Sequence, residues 1–399
     1  MTRNHGTVNR QPRRVRAPGR VNLIGEHLDY NGLPVLPVAL DRHVELTFHG
    51  SNGPGVSCVS TGVGFEPVSF SLGEAIEPGP QGDWGNYLRA AGQALCRVRG
   101  PLRGFEGRVS SSLPIASGLS SSSALVVASA LALIEHNELE FTPSELMLLL
   151  ADAERYVGTA GGGMDQAICL GGREGHALHI GFEPLELLAI PVPVSWRLVI
   201  ASSLVPAAKS GAMQRAYNSR VEECRHALTV VARKLGESVP DYVTLRSRWE
   251  TKVLLDIGQA TLDEWPYRRF HHVLTEADRV ADAVDAMRED DLERFGRLML
   301  ASHLSLRDDY QVSCPELDEL VDCAMASGAA GARLTGAGFG GCVVALVEET
   351  GCTSLLDELS EQYYVPRGLV GERRDEVLFV ARPSGGARVE SIPSFDETF

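Results

Sequence analysis

The sequence predicts an α/β chain, α+β in the order of its segments, arranged in two lobes joined near Trp196. Three observations carry this. The chain has 399 residues, enough for about two or three domains that each bury a core. Short alternating stretches that read as strands occur early, near the middle and again after residue 340. Between them lie longer stretches with apolar residues at helical spacing. The boundaries read as an N-terminal lobe over 1–195, a C-terminal lobe over 196–385 and a C-terminal tail over 386–399.

The elements follow in chain order. "HVELTFHG" from His43 alternates like a strand and ends at the turn-forming "SNGPG" from Ser51. Ala124 to Asn137 is a continuous helix, and a second helix begins within "FTPSE" and runs to Tyr156. Thr142 is its N-cap, Pro143 its first helical residue and Glu145 the partner of a capping box. "HALHIGF" and "WRLVIASS" read as strands. "SRVEECRHALTVVARKLG" then places Val221, Cys224, Leu228, Val231, Ala232 and Leu235 on one helical face, with Gly236 as the stop. Helices follow over Thr275–Ala286 and Leu292–Leu306, then "CPELDELVDCAMASG", ended by Gly328, and the strand "CVVALVE".

Composition narrows the function. The net charge of −15 argues against a nucleic-acid partner, whose binding needs basic surface. Arg13, Arg14 and Arg16 form the one basic cluster, expected to lie in a polar N-terminal tail with no secretory segment behind it. The longest apolar run, Ser123 to Ile134, falls short of the ~18 residues that would suggest a membrane span. Eight scattered cysteines with no CxxC pair read as reduced thiols. A cytosolic, cytoplasmic protein is expected.

Four stretches could carry chemistry. "GLSSSSALVVASALALI", from Gly118, puts four serines at a helix entrance. A helix N-terminus offers unpaired N–H groups and partial positive charge, so it is an anion site; a serine-rich N-cap without a ligand is the plain alternative. No P-loop motif competes, because the only lysines are Lys209, Lys234 and Lys252. "GTAGGGMDQ", Gly158 to Gln166, holds Asp165 behind three glycines, where it could take a proton from a hydroxyl or simply cap its own turn. "LTGAGFGGCVVALV", from Leu334, has its glycines before a strand, which excludes a dinucleotide fingerprint and leaves a backbone wall near phosphates, or a bulge. "APGRVNLIGEHLDYNGLPVLPVAL", from Ala17, gathers Arg20, Glu26, His27 and Asp29. That set suits the reading of hydroxyls; a single histidine beside two carboxylates is a weak zinc pattern.

Together these stretches resemble the galactokinases, within the superfamily of galactokinase, homoserine kinase, mevalonate kinase and phosphomevalonate kinase (GHMP). "GRVNLIGEHLDYNG" resembles the galactokinase signature, "LPIASGLSSSSAL" the superfamily's ATP loop and "LTGAGFGG" its third motif, all in family order. "DWGNYLRA" from Asp83, "RRFHHVLTEADRV" from Arg268 and "SHLSLRDDYQVSCPELDELV" from Ser302 match as well. The resemblance implies a two-lobed GHMP kinase fold with the active site between the lobes, and transfer of the ATP γ-phosphoryl to the C1 hydroxyl of a sugar. It implies Asp165 and Arg20 as catalytic residues, and Glu26, His27, Asp29, Gly162 and Tyr217 as sugar contacts. Gly118, Leu119, Ser120, Ser121 and Ser122 would form the phosphate loop, with Ser122 and Glu154 at a Mg²⁺ site. The expected partners are a small sugar and ATP, with no nucleic acid and no membrane, and the chain is expected to act as a monomer.

Three departures bear on the sugar. Leu28, the "GGGMDQ" run and Ala337 resemble N-acetylgalactosamine kinases and fungal galactokinases more than common bacterial galactokinases. Tyr217 points to plain galactose. Galactose is therefore preferred over N-acetylgalactosamine, with arabinose or another pentose third. A non-catalytic sugar and ATP sensor is the alternative of another class; the intact Ser122–Ser123–Ala124 step, Asp165 and Arg20 speak against it.

Overall fold

A computed structural model describes residues 11–114, 116–158, 161–207, 211–236 and 238–393. Thr159 and Ala160 of the second Gly-rich stretch lie outside the described residues. In the N-terminal half come β1 (Arg13–Asn22), β2 (Pro37–Gly50), β3 (Gly55–Ser60), β4 (Val68–Ser71), α1 (Gly85–Arg99), β5 (Phe105–Ser111), α2 (Ser121–Asn137), α3 (Pro143–Ala153), α4 (Met164–Gly171), β6 (His176–Phe182) and β7 (Leu185–Pro191). Then follow β8 (Trp196–Ser202), α5 (Ala212–Lys234), α6 (Tyr242–Arg248), α7 (Thr251–Thr261), α8 (Glu264–Arg288), α9 (Leu292–Ser305), α10 (Pro315–Ala326), β9 (Gly331–Thr335), β10 (Cys342–Glu348), α11 (Cys352–Leu359), α12 (Glu372–Asp375), β11 (Leu378–Ala381) and β12 (Arg388–Ser391).

The strands form a six-stranded sheet in the order β12-β1-β2-β5-β3-β4, a four-stranded sheet β11-β8-β10-β9 and the hairpin β6-β7. β8, which opens at Trp196, is the first strand of the second sheet, where the lobe boundary was expected. Helix α2 packs on β1 and β2, and α9 on β9. Its residues Ala124 to Ala130 are buried throughout, so α2 is a core helix with apolar residues on all sides. The capping box at Thr142 and Glu145 is present, with Pro143 in the first turn.

Two expectations are corrected. Arg13, Arg14 and Arg16 belong to β1, with Val15 and Ala17 buried on either side of Arg16. Arg14 and Arg16 pair with Glu45 across the sheet, and Arg13 with Glu135. Alternation of buried and solvent-side residues makes this a strand; the density of charge hid it. Residues 388–391 are likewise no tail: they add an antiparallel edge strand to β1, with Arg16 opposite Arg388. All eight cysteines are free thiols; Cys314 and Cys323 are half-buried and the other six buried. Among the described residues no helix is long and apolar enough to cross a membrane.

Candidate active site

Arg20 sits on β1 just past a register shift between Pro18 and Arg20, which turns its side chain toward the start of α2. It is 4% exposed. Its Nε donates to Asp165 Oδ1 at 2.8 Å and its Nη1 to the Gly118 carbonyl at 2.6 Å. Burial alone would lower the guanidinium pKa, but Asp165, Glu26 and Asp29 surround it and raise it. Its charge is therefore fixed.

Asp165 lies in the first turn of α4. Its side chain reaches Arg20, Ser120 and Ser123 rather than capping its own turn: Ser120 Oγ donates to Oδ2, and Ser123 Oγ lies 3.2 Å from the same oxygen. The Ser123 hydroxyl also donates to Glu154 Oε1. Ser120 is the N-cap residue of α2, in left-handed conformation, and makes no capping bond. The hydroxyls are thus turned to carboxylates, and the first N–H groups of α2 are left for an anion. Ser121 and Ser122 line a neighbouring cleft of about 830 Å³ with Phe65, Trp84 and Tyr87.

Sequence reasoning set the hydroxyls of Ser120 to Ser123 at the helix entrance and put Ser122 at the metal site with Glu154, whereas the structure gives Glu154 the hydroxyl of Ser123. The signal was present, since residues three apart share a helix face, and Ser120 and Ser123 meet the same carboxylate oxygen. Trp84 and Tyr87 were missed as cleft residues, although "DWGNYLRA" shows an aromatic pair three apart at a helix start.

A second pocket joins Arg20, Glu26, His27, Asp29, Glu154, Asp165, Tyr217 and Ala337. The structure thus brings residues of three of the four stretches to this pocket, and the serine loop joins it through the bond of Ser120 to Asp165. Asp29 Oδ2 accepts from the Gly162 N–H at 3.0 Å, so that N–H serves Asp29. A Cβ on Gly162 would stand 2.2 Å from the Asp29 carbonyl carbon and the Tyr30 nitrogen; only glycine permits this approach. Burial raises the Asp29 carboxyl to about pH 6, helped by the charge of Asp165 and opposed by the N–H groups of Tyr30 and Gly162.

Glu26 accepts from the Gly336 N–H at 2.6 Å, and Thr335 Oγ1 lies 3.3 Å from the same oxygen. It ties the third Gly-rich motif to the first. Burial raises its carboxyl, with Arg333 and Arg20 pulling the other way. Gly336 in turn rests against the Gly118 carbonyl, so the third motif does wall the serine loop. His27 has φ +64° and packs against Tyr217 and Tyr310, with ring centroids 5.6 and 4.7 Å away. Its Nδ1 lies 2.9 Å from Tyr30 Oη. Burial lowers its pKa to about 3, so the ring is neutral.

Glu154 is 5% exposed and forms no ion pair among the described residues. A buried carboxylate facing hydroxyls, beside an anion site, suits Mg²⁺, which takes one or two carboxylates and completes its shell with water and phosphate oxygens. The hydroxyl on Glu154 is that of Ser123; Ser122 faces the larger cleft.

Comparison with known proteins shows the family. Residues 86–173 match the GHMP kinase N-terminal domain, residues 283–365 the GHMP kinase C-terminal domain and residues 5–48 the galactokinase galactose-binding signature. The chain is 39% identical over 374 residues to a galactokinase of Roseiflexus sp. (strain RS-1), covering 93% of this chain and 91% of that one. It is 38% identical over 358 residues to the galactokinase of Bos taurus, covering 88% and 87%. Lactococcus lactis galactokinase, solved in complex with galactose, superimposes with a TM-score of 0.85 at 28% identity, over 97% of each chain. Methanococcus jannaschii mevalonate kinase shares the fold, with a TM-score of 0.60 at 20% identity, over 96% of this chain and 100% of that one.

Proposed function

This chain belongs to the galactokinase family of GHMP kinases, and on that premise we propose how its residues phosphorylate the C1 hydroxyl of galactose with ATP to give galactose 1-phosphate and ADP. The observation that carries the reading is the Arg20–Asp165 pair. It stands where the pocket of Glu26, His27 and Asp29 meets the N-terminus of α2.

Glu26, His27, Asp29 and Tyr217 hold the sugar, and Gly162 acts through the N–H that it gives to Asp29. A pocket built of buried polar groups rejects a ligand that leaves them unpaired. Asp165 orients the C1 hydroxyl and takes its proton as the new O–P bond forms. Arg20 fixes Asp165 through Nε and the serine loop through Nη1, so one guanidinium aligns acceptor and donor sites and places positive charge beside the transferring group. The α2 N-terminus and the loop Gly118–Ser122 bind the phosphates, while Phe65, Trp84 and Tyr87 give the adenine apolar faces. Glu154, with Ser122 or Ser123, would hold Mg²⁺. When bound, the ion would neutralise charge on the β- and γ-phosphate oxygens.

Both lobes of the site come from one chain and all its thiols are free, which supports a monomer working in the cytosol. A coupled ADP-release assay with Mg·ATP against galactose, N-acetylgalactosamine, arabinose and glucose tests the reading. Galactose should give the largest kcat/KM. A larger value for N-acetylgalactosamine would overturn the sugar assignment, and binding of both substrates without ADP release would make the chain a sensor.

A further inference from the structure

The stretch Arg268–Val280 lies on α8 of the C-terminal lobe, yet three of its side chains face the sugar loop. His272 Nε2 lies 3.2 Å from the Glu26 carbonyl oxygen. Glu276 Oε1 accepts from the Gly25 N–H at 2.8 Å. Val280 Cγ2 stands 2.9 Å from where a Cβ on Gly25 would be. Residues 272, 276 and 280 are four apart, so they line one helix face. His272 and Glu276 are fully buried.

Both polar groups are braced. Glu276 accepts from Ser302 Oγ on Oε1 and from Arg279 Nε on Oε2, each at 2.6 Å. Burial alone would raise its carboxyl; Arg279, His272 and Arg333 hold it low instead. His272 Nδ1 lies 2.9 Å from Ser305 Oγ, which lies 3.0 Å from Asp309 Oδ2. Burial lowers the His272 ring to about pH 4, so it is neutral at pH 7. A carbonyl only accepts, so the contact with Glu26 requires the ring proton on Nε2, with the single proton of Ser305 turned to Nδ1 instead of Asp309.

An imidazole and a carboxylate in a dry contact are costly where an apolar pair would pack as well. What they add is direction. The grip falls on Gly25, itself left-handed at φ +98°, and on Glu26, which precedes left-handed His27 at φ +64°. A side-chain-bearing residue in that region is strained and needs its surroundings to hold it.

We propose that His272 and Glu276 are positioning residues of the sugar site, gripping the Gly25 N–H and Glu26 carbonyl so that Glu26 and His27 meet the sugar. The proposal rests on the sugar reading above, which wild-type turnover of galactose tests first and separately.

The experiment compares wild type, His272→Phe, His272→Gln and Glu276→Gln in the full chain, by thermal melting, calorimetric galactose binding and Michaelis constants for both substrates. Phenylalanine keeps the ring and removes the donor. It should raise galactose KM and Kd about tenfold, the scale of one buried hydrogen bond lost, and leave KM for ATP within twofold. Glutamine at 272 restores an N–H near the Nε2 position and should recover most of that loss. If His272→Phe does not fold, Glu276→Gln decides: an amide there either opposes Arg279 or withdraws the acceptor from Gly25, and should raise galactose KM at least about threefold. A lower melting temperature with galactose binding unchanged would overturn the proposal. So would an equal loss for both substrates, since each marks a scaffold with no bearing on the sugar loop.

Discussion

Arg20 and Asp165, 145 positions apart in sequence, are joined by a 2.8 Å bond between Nε and Oδ1 in a buried setting. The same guanidinium binds the Gly118 carbonyl, so the proposed proton acceptor and the proposed phosphate loop share one anchor. Asp165→Asn keeps the shape and deletes the proton acceptor. Steady-state assays should show kcat reduced about 10²–10⁴-fold with galactose KM within a few-fold. The melting temperature should fall, because Arg20 loses its nearest counter-charge. Near-normal kcat would remove Asp165 as the base.

Asp29 gives the site a pH dependence. Its carboxyl is pushed up to about 6, by burial first and then by Asp165, and only the ionised form offers a strong acceptor to a sugar hydroxyl while the other oxygen accepts from the Gly162 N–H. kcat/KM for galactose should therefore fall about tenfold per pH unit below 6, and Asp29→Asn should remove that limb. Stability runs the other way. The folded carboxyl binds its proton more tightly than the unfolded one, so Asp29 favours folding below its unfolded pKa, and that contribution is lost as pH rises through 6. Asp29→Asn should accordingly gain more melting temperature at pH 8 than at pH 4.

Gly162→Ala probes a close backbone approach beside the pocket. The added methyl meets main-chain atoms of Asp29 and Tyr30, which no rotamer change relieves. Chemical denaturation should show a loss of about 1–3 kcal/mol, and galactose KM should rise with KM for ATP nearly unchanged. An unaltered galactose KM would mean that Asp29 tolerates displacement.

Glu154 tests the metal assignment. Glu154→Gln keeps an oxygen for Ser123 and removes the charge, so half-saturation by Mg²⁺ should rise about tenfold or more while galactose binding without nucleotide stays as in wild type. If the Mg²⁺ dependence does not move, the ion is held by the nucleotide phosphates and water alone.

Much of this was legible in the sequence because the informative residues are local. The capping box at Thr142 and Glu145 is written within four positions, and the serine run announces a helix entrance. The choice of Ser123 over Ser122 as partner of Glu154 was also written there, in the three-residue spacing from Ser120. The strand character of Arg13–Arg16 was hidden, because its acidic partners Glu45 and Glu135 come from distant segments that only folding brings near. The grip of His272 and Glu276 on residues 25 and 26 spans about 250 positions, and no local periodicity reports it. In sequence those two residues look like an ordinary part of a helix.

The pairing of β12 with β1 has a consequence for what seals the strand that bears Arg20. Its outer neighbour comes from residues 388–391, which pair with Arg13 to Arg16. Without that neighbour the edge would be an open row of backbone donors and acceptors, a template for wrong partners. A short stretch far along the chain thus works as a seam, keeping the strand of Arg20 from being shared with another molecule.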